Sequence, residues 1–493
     1  MSAKYKTPGV YINELNSFPN SIAQVETAVP AFIGYTEKAE FNGNSLLNIP
    51  TKINSLNEYL ERFGNEFASK CNILPNITPN NAQAEATING VNYVVDFANN
   101  QKALMYASLK LFFNNGGTTC YVVSVDTYQN KNDIVLDKEK FKTGLKQLKT
   151  ELEPTIIVIP DAVNLPKIDC YHLYQNVLKH CSEMQNRVAV LDVFNGFETV
   201  STQVITEFRH HIGNLNLKYG VAYYPWLETS IYSKKEITFK NINLDLSEIS
   251  NLLPEKKARI LIEEFINGNQ TIHGEENLHE ALLIVSPSYN LLIEAVKKVL
   301  NILPPSAAMA GVYTMVDNHG GVWKAPANVS LNSVIKPTIA ISNSQQETLN
   351  IDAASGKSIN AIRSFVGKGV LVWGARTLDG NSNEYRYINT VRTLIMVEQS
   401  VKYALETFVF EPNEANTWTT IKSMISNFLT NLWKQGALAG AKASDAYFVN
   451  IGLGSTMTAN DVLQGKLIVE LGLAIQRPAE FIIIRLQQQL QNS

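Results

Sequence analysis

Histidine and cysteine, the residue types that most often carry metal or thiol chemistry, are few and poorly spaced in this 493-residue chain. His210 and His211 are adjacent, so on a helix they point about 100° apart and cannot clamp one ion as an i, i+4 pair does. His279-Glu280 begins like a zinc-protease motif, but Leu283 stands where the second histidine would be. We therefore expect no metal site.

Glycine-rich patterns for phosphate binding are incomplete. Gly356-Lys357-Ser358 resembles the end of a phosphate-binding loop, but Ile351 occupies the position of the glycine that opens such a loop. No G-x-S-x-G nucleophile motif is present. None of the cysteines forms a C-x-x-C pair, which favours buried thiols in a reduced compartment: Cys71, Cys120, Cys170 and Cys181. We expect no cofactor, no disulfide and no enzymatic activity.

The composition is that of a globular protein with about three domains. Hydrophobic residues make up 45% and charged residues 18%, and 42 Lys and Arg stand against 45 Asp and Glu, a net charge of −3. This balance provides no general attraction for nucleic acid or an anionic membrane. The longest apolar stretch, near Ile302–Val316, is interrupted by Pro304-Pro305, and the first residues lack the apolar block of a secretory signal.

Strands and helices alternate between residues 136 and 227, which predicts a mostly parallel sheet covered on both faces. Upstream we expect a strand at Ala31–Tyr35, a helix at Ser55–Phe63 opened by a Ser cap, and a loop at Asn72–Asn92. The expected elements of the alternating region are strands at Thr155–Ile159, Arg187–Val193 and Gly220–Tyr224 and helices at Cys170–Met184 and Thr202–Leu215.

The last third contains two long amphipathic helices, Tyr387–Phe410 and Thr417–Leu438, separated by Glu411-Pro412-Asn413. Strands are expected at Ala446–Ile451 and Phe481–Leu486. At the other end, Val10, Tyr11 and Ile12 form a short β-prone run that cannot fold alone, and composition by itself favours a frayed terminus there.

A series of phrases, in this order and spacing, resembles the sheath protein of contractile phage tails and related contractile injection systems. The resemblance spans nearly the whole chain and is densest after Pro304, whereas Ser230–Ile302 matches no family motif. The phrases are PGVY (8–11), RFG (62–64), FFNNGG (112–117), YYPWL (223–227), PPSAAMAG (304–311), Asp317, GVWKAPAN (321–328), GVLVWGARTL (369–378), YIN (387–389), EPN (411–413), GAL (436–438), AYFV (446–449) and PAEF (478–481).

The resemblance implies a structural subunit that assembles as stacked six-subunit rings, or a six-start helix, around an inner tube. It further implies that an N-terminal and a C-terminal arm each add a strand to the sheet of a neighbouring subunit. The residues fit such a role, because a strand that is apolar on both faces suits a position covered from both sides. The expected intersubunit strands are Val10, Tyr11, Ile12, Phe481, Ile482, Ile483, Ile484 and Arg485. Pairing of the second strand within its own subunit is the alternative.

The resemblance also implies contact with the inner tube through a helix of the inner domain, partly by charge. Thr417–Leu438 is our candidate, because the stretch from Asn416 to Lys442 has lysines and no acidic residue, which suits an acidic tube surface. The expected contact residues are Lys422, Lys434 and Lys442. The alternative is that these lysines only solvate the polar face.

The expected fold class is α/β (α+β overall) and multi-domain, with an inner α/β sheath domain built from both chain ends and outer inserted α/β domains. The expected regions are a connector arm at 1–30, an outer mixed α/β region at 31–125, an α/β region at 126–303 with an insertion at about 230–302, an inner sheath domain at 304–475, and a connector strand and tail at 476–493. Hinges are expected at Asn13–Pro19 and Gln476–Ala479.

The implied partners are further copies of the chain, the inner tube protein, and baseplate and tail-terminator proteins, with no nucleic acid and no membrane insertion. Assembly is expected in the bacterial cytoplasm, as part of a phage tail or tail-like particle. Two other functions remain open from the residues alone: a soluble α/β enzyme with an unrecognised site, and a tube or capsid protein that does not contract.

Overall fold

The computed structural model of the protein describes residues 21–76, 85–97, 102–128, 134–197, 201–268 and 274–481. These residues fall into two compact units. The large unit contains described residues 26–395 and 477–481, and the small unit contains described residues 21–25 and 396–476. Among the helices described, none is long and apolar enough to cross a membrane.

The large unit is built on a twisted sheet to which nine of the described strands belong. Its middle strands run parallel, and antiparallel pairs occur toward its edges. This confirms the predicted α/β class with a mostly parallel sheet. From one edge to the other the strands are Val329–Ser330, Gly369–Trp373, Asn360–Phe365, Gly220–Tyr224, Val188–Asp192, Ile156–Val158, Pro30–Thr36, Cys120–Thr127 and Thr51–Ile53.

The central strands are buried along their whole length. Every residue of Pro30–Thr36, Val188–Asp192 and Gly220–Tyr224 is buried. Because successive side chains of a strand point to opposite faces, this pattern requires cover on both faces of the sheet. Helices pack against these strands and supply that cover: Met105–Asn114, Lys138–Gln147, Lys167–Met184 and Ser306–Gly320.

Smaller elements complete the large unit. Helix Leu56–Phe63 begins as expected, because the Ser55 hydroxyl accepts a hydrogen bond from the Glu58 amide at 3.2 Å. The other strands are Glu40–Phe41, Asn44–Ser45, Leu227–Thr229, Ile302–Leu303 and Val334–Pro337. The other helices are Ser201–His211 and Asn343–Asn350, with 3₁₀ turns at Pro160–Asn164, Leu217–Tyr219 and Phe239–Asn241.

The loop predicted at Asn72–Asn92 is wrong for its described part. Strand Val91–Phe97 pairs antiparallel with Cys71–Pro75 on one side and with Ala86–Ile88 on the other. The turn into Val91–Phe97 is Asn89-Gly90, in which both residues have positive φ, at 50° and 77°. An Asn-Gly pair between apolar residues is a strong hairpin signal, and the Asn-rich composition of the segment hid it.

The described residues of segment 230–302, for which the sequence phrases gave no family match, form a helical layer. Its last helix contacts the strands Ala86–Ile88 and Val91–Phe97, and Leu292, Ile293 and Val296 on that helix are fully buried. The segment therefore shares the core of the large unit. Its helices are Leu246–Leu252, Lys256–Ile266, Glu275–Val285 and Pro287–Leu300.

The small unit contains a long helix, a hairpin and part of a second helix. Helix Ile388–Leu405 enters the unit at Met396 and ends in a 3₁₀ turn, Glu406–Phe408. Helix Ala415–Lys434 ends four residues before the predicted Leu438. The reason is Gly436, whose φ of +85° terminates the helix while the Ala437 amide donates back to the Leu432 carbonyl at 2.9 Å.

A buried carboxylate joins the sheet to the N-terminus of helix Ser306–Gly320. Asp192, at the end of its strand, accepts hydrogen bonds from the Ser306 amide at 2.8 Å and from the Ser306 hydroxyl at 2.5 Å. Burial raises the pKa of Asp192 to about 7, and the two hydrogen bonds only partly oppose this rise. Ionisation of this group therefore opposes folding.

We expect Asp192→Asn to gain stability relative to the wild type between pH 5 and pH 8. The raised pKa means that the native carboxyl holds its proton where the unfolded chain has lost it. The stabilisation from this proton is complete below the unfolded pKa and is lost as the pH rises through about 7. Melting temperatures of both proteins at the two pH values test this. Asp445→Asn removes an exposed carboxylate as the control, and an Asp192→Asn effect that is equal at both pH values would contradict the prediction.

Candidate assembly surfaces

Most of the predicted intersubunit strand residues lie outside the described residues. These are Val10, Tyr11 and Ile12 at one end and Ile482, Ile483, Ile484 and Arg485 at the other. Phe481 is described; it has no strand conformation and its exposed fraction is 66%. The two predicted strands therefore stay predictions.

The small unit contains a two-stranded antiparallel sheet, which we call the C-terminal hairpin. Strand Tyr447–Ile451 pairs with Val469–Leu473 in a continuous register, from Tyr447 opposite Leu473 to Ile451 opposite Val469. Within the described part of the chain each strand has one partner strand, so each leaves one edge open. Sequence analysis predicted the first strand but missed the second, although Val469, Leu471 and Leu473 alternate with non-apolar residues.

One face of the C-terminal hairpin packs on helix Ala415–Lys434. The hydroxyls of Tyr447 and Thr430 lie 2.6 Å apart, and Tyr447 also donates to the Ser426 carbonyl at 3.1 Å. Phe448, on the next position along the strand, is half exposed and lies over Gly472, where a Cβ atom would sit 2.0 Å from its ring. The helix thus supports the hairpin from one side.

Helix Ala415–Lys434 presents its lysines to solvent. Lys422 and Lys434 are exposed and lie 12 residues apart, about 18 Å along the helix axis and roughly 120° around it. No acidic residue lies on the helix. Its buried face is formed by Ile421, Met424, Ile425, Phe428, Leu429 and Leu432.

One part of the sequence-based description of this helix needs correction. Lys442 is not on the helix, because the helix ends at Lys434, and Lys442 precedes the short helix Ala443–Ala446 instead. Trp418 and Trp433 are only half buried. Their indole N–H groups donate to Asn413 Oδ1 at 2.7 Å and to the Gly440 carbonyl at 3.0 Å, so both rings close the ends of the helix.

A partly buried ion pair holds the start of the C-terminal segment on the large unit. Arg376 donates to Glu480 through Nε at 3.0 Å and through Nη2 at 2.6 Å. Glu480 also accepts from Asn350 Nδ2 at 2.7 Å and from the Tyr387 hydroxyl at 2.9 Å. Burial alone would raise the pKa of Glu480, but the hydrogen bonds from Arg376 and Asn350 and the Arg376 charge outweigh it and lower that pKa. We call this cluster the C-terminal socket.

A second buried ion pair, between Arg392 and Asp317, holds the chain at Thr27. Arg392 donates to Asp317 through Nη1 at 3.1 Å and through Nη2 at 2.6 Å. Thr27 joins the pair: its hydroxyl donates to Asp317 Oδ2 at 2.6 Å, and its carbonyl accepts from Arg392 Nη2 at 2.9 Å. The Arg392 guanidinium also lies over the Tyr313 ring, 4.6 Å from its centroid. We call this cluster the N-terminal socket.

The residues that resembled a phosphate-binding loop are engaged with the main chain. Lys357 Nζ donates to the Arg209 carbonyl at 2.5 Å, and the Ser358 hydroxyl donates to the Asn350 carbonyl at 2.6 Å. In the described ranges no group of three or more His, Cys, Asp or Glu side chains is placed to hold a metal ion.

Family models match two long stretches of the sequence. Residues 137–378 match the phage tail sheath protein central domain, and residues 381–489 match the phage tail sheath C-terminal domain. The chain belongs to the contractile tail sheath family. Both sockets and the C-terminal hairpin draw residues from these two stretches.

Curated sheath proteins align with part of the chain. The tail sheath protein of Burkholderia phage BcepMu is 28% identical over 145 residues, which cover 28% of this chain and 30% of that protein. The tail sheath protein of Vibrio phage KVP40 is 23% identical over 139 residues, covering 28% of this chain and 20% of that protein. The aligned regions thus span less than a third of these relatives.

Solved sheath structures resemble the chain over nearly its whole length. The sheath complex of the extracellular contractile injection system PVC, in its contracted state, is 28% identical with a TM-score of 0.62, covering 99% of each chain. The helical sheath of the anti-feeding prophage, also contracted, is 27% identical with a TM-score of 0.61, covering 98% of this chain and 100% of that chain. The chain is therefore a structural sheath subunit of a phage tail or tail-like particle.

Proposed function

We propose that this subunit polymerises with six-fold symmetry around an inner tube, and that contraction of the sheath drives the tube through a target envelope. The observation that carries this proposal is the near full-length similarity to the contracted PVC sheath. The similarity to a chain in the six-fold symmetrised baseplate structure of the anti-feeding prophage supports the symmetry and contact with a baseplate. In this role the subunit works mechanically and catalyses no reaction.

The C-terminal hairpin is the proposed acceptor for strands from neighbouring subunits. Its two open edges leave main-chain N–H and C=O groups that an added strand satisfies. The proposed donors are the segments Val10–Ile12 and Phe481–Arg485, one for each edge. A donated strand gains about 1 kcal/mol per net hydrogen bond, and burial of Phe481 and the three following isoleucines adds roughly 1.5–3 kcal/mol each. Apolar packing therefore dominates the proposed linkage.

The proposed tube contact is the solvent-exposed side of helix Ala415–Lys434, which carries Lys422 and Lys434. Lys422 and Lys434 are exposed on a helix without acidic residues, which favours an acidic partner surface. Lys442, beyond the helix end, extends the positive charge along the chain. Attraction of this kind is screened by salt, so it guides assembly on the tube more than it fixes the final sheath.

Contraction in this proposal uses free energy stored during assembly, with the extended sheath kinetically trapped until the baseplate releases it. Compact bodies then change their mutual contacts while the arms keep neighbours tethered, and short segments absorb the rotation. The proposed hinges are Asn13–Pro19 and Gln476–Ala479. The further proposed partners are the tail-terminator and baseplate proteins, with assembly in the bacterial cytoplasm.

Deletion of residues 1–20 should leave a folded subunit that no longer forms cylinders, because the large unit begins only at residue 26 and keeps its core. Circular dichroism melting checks the fold, and negative-stain electron microscopy checks assembly. Replacing residues 1–20 with a Gly/Ser segment of equal length controls for chain length. Normal cylinders from either variant would contradict the proposed arm.

Charge reversal at the two exposed helix lysines should weaken tube binding without unfolding the subunit. Exposed ion pairs are each worth about 0.2–1 kcal/mol, so Lys422→Glu with Lys434→Glu should lower tube affinity about two- to thirty-fold at low salt. Co-sedimentation with purified tube at several salt concentrations measures the change. Lys466→Glu, an exposed lysine elsewhere in the small unit, is the matched control, and equal binding by both variants would remove the helix as the contact.

A further inference from the structure

The chain passes between its two units at three points: between Val25 and Glu26, between Ile395 and Met396, and between Gln476 and Arg477. Each crossing lies within four residues of a side chain that belongs to one of the two sockets, namely Thr27, Arg392 and Glu480. All socket residues lie in the large unit. The same chemistry, a buried arginine paired with a carboxylate, thus marks every place where the chain leaves this unit.

The sockets differ in how they hold the crossing segments. In the N-terminal socket the ion pair lies between Asp317 and Arg392, and Thr27 is held by its hydroxyl and carbonyl. One cluster therefore fixes two crossings. In the C-terminal socket the carboxylate belongs to the crossing segment itself, because Glu480 is four residues past Gln476. The side chains of Arg376, Arg392 and Asp317 are 3–5% exposed, whereas Glu480 is 20% exposed.

We propose that the two sockets are positioning residues for the exchanged arms: they fix the points on the large unit from which the arms depart. This inference rests on the proposed function, since it concerns arms that reach neighbouring subunits. Without the Arg376–Glu480 pair, residues 477–480 become slack, and four extended residues add about 13 Å to the tether. A longer flexible tether lowers the effective concentration of the arm at its acceptor.

The sockets also determine where movement can occur. The proposed hinge Gln476–Ala479 runs from the last residue of the small unit to the Glu480 anchor, so movement at this one of the three crossings is confined to a short stretch. With the anchor in place, a displacement of the neighbouring subunit pulls on the body of the large unit. With the anchor released, the same displacement only straightens residues 477–480 and does not pull on the large unit. The sockets would therefore pass contraction from one subunit to the next.

The first test replaces Glu480 with Gln, which keeps the size of the side chain and removes its charge. We expect the protein concentration for half-maximal cylinder formation to rise at least tenfold, with the isolated subunit still folded but less stable, because Arg376 loses its charged partner. Glu384→Gln, an exposed glutamate in the same unit, is the matched control. The double variant Arg376→Gln with Glu480→Gln leaves no unpaired buried charge and should show the same assembly defect if the single variant folds poorly.

Deletion of residues 482–493 separates failure of this inference from failure of the proposed function. If the deletion leaves normal cylinders, the exchanged arm itself is wrong. If the deletion abolishes cylinders while Glu480→Gln and the double variant assemble like the wild type, the exchanged arm is supported. The C-terminal socket then has no positioning role. A defect that only tracks a lowered melting temperature in both variants would also overturn the inference.

The second test replaces Thr27 with Val, which keeps the Asp317–Arg392 pair and removes only the hydroxyl that ties the chain to it. Cylinders of this variant should assemble at a concentration several-fold higher than wild type and should shed subunits sooner in dilute urea. Thr143→Val removes an exposed helical hydroxyl as the control. Assembly and urea resistance equal to those of the control would show that Thr27 does not position the arm.

Discussion

Every peptide group needs a hydrogen-bond partner, and this requirement determines how the C-terminal hairpin of the small unit can pair with other chains. A two-stranded sheet is at best marginally stable alone, and here helix Ala415–Lys434 supports one face of the C-terminal hairpin. The support leaves both edges open in the described structure. An open edge invites pairing with another chain, which is a hazard in most proteins and an asset in one that polymerises. The lattice proposed for this subunit follows from that one property.

The central strands of the large unit, in contrast, have no open edges. These strands, such as Val188–Asp192 and Gly220–Tyr224, are buried on both faces and paired on both sides. Such a sheet has little freedom to open locally, so it suits a body that is moved without being deformed. The helical layer of the described residues within 230–302 adds to this body, since its helix Pro287–Leu300 packs into the same core.

The sequence predicts best where a pattern is local. Strand Gly220–Tyr224 has the predicted bounds, and the Ser55 cap forms as expected. Prediction from the sequence fails where two residues in contact are far apart along the chain. Arg376 and Glu480 stand in two of the phrases that carried the family resemblance, but they are 104 residues apart, and no periodicity reveals that they meet. The arms are predicted from the resemblance alone, because a strand completed by another chain leaves its pairing outside its own sequence.

The ionisation of Glu480 makes the C-terminal socket dependent on pH. Its pKa lies below the ordinary glutamate value, so the ion pair with Arg376 contributes fully above the unfolded pKa and is lost only as the pH falls through the lower native value. A medium at about pH 5 therefore leaves this carboxylate charged. In the proposed sheath, the anchor of the C-terminal arm would therefore remain intact in a mildly acidic medium.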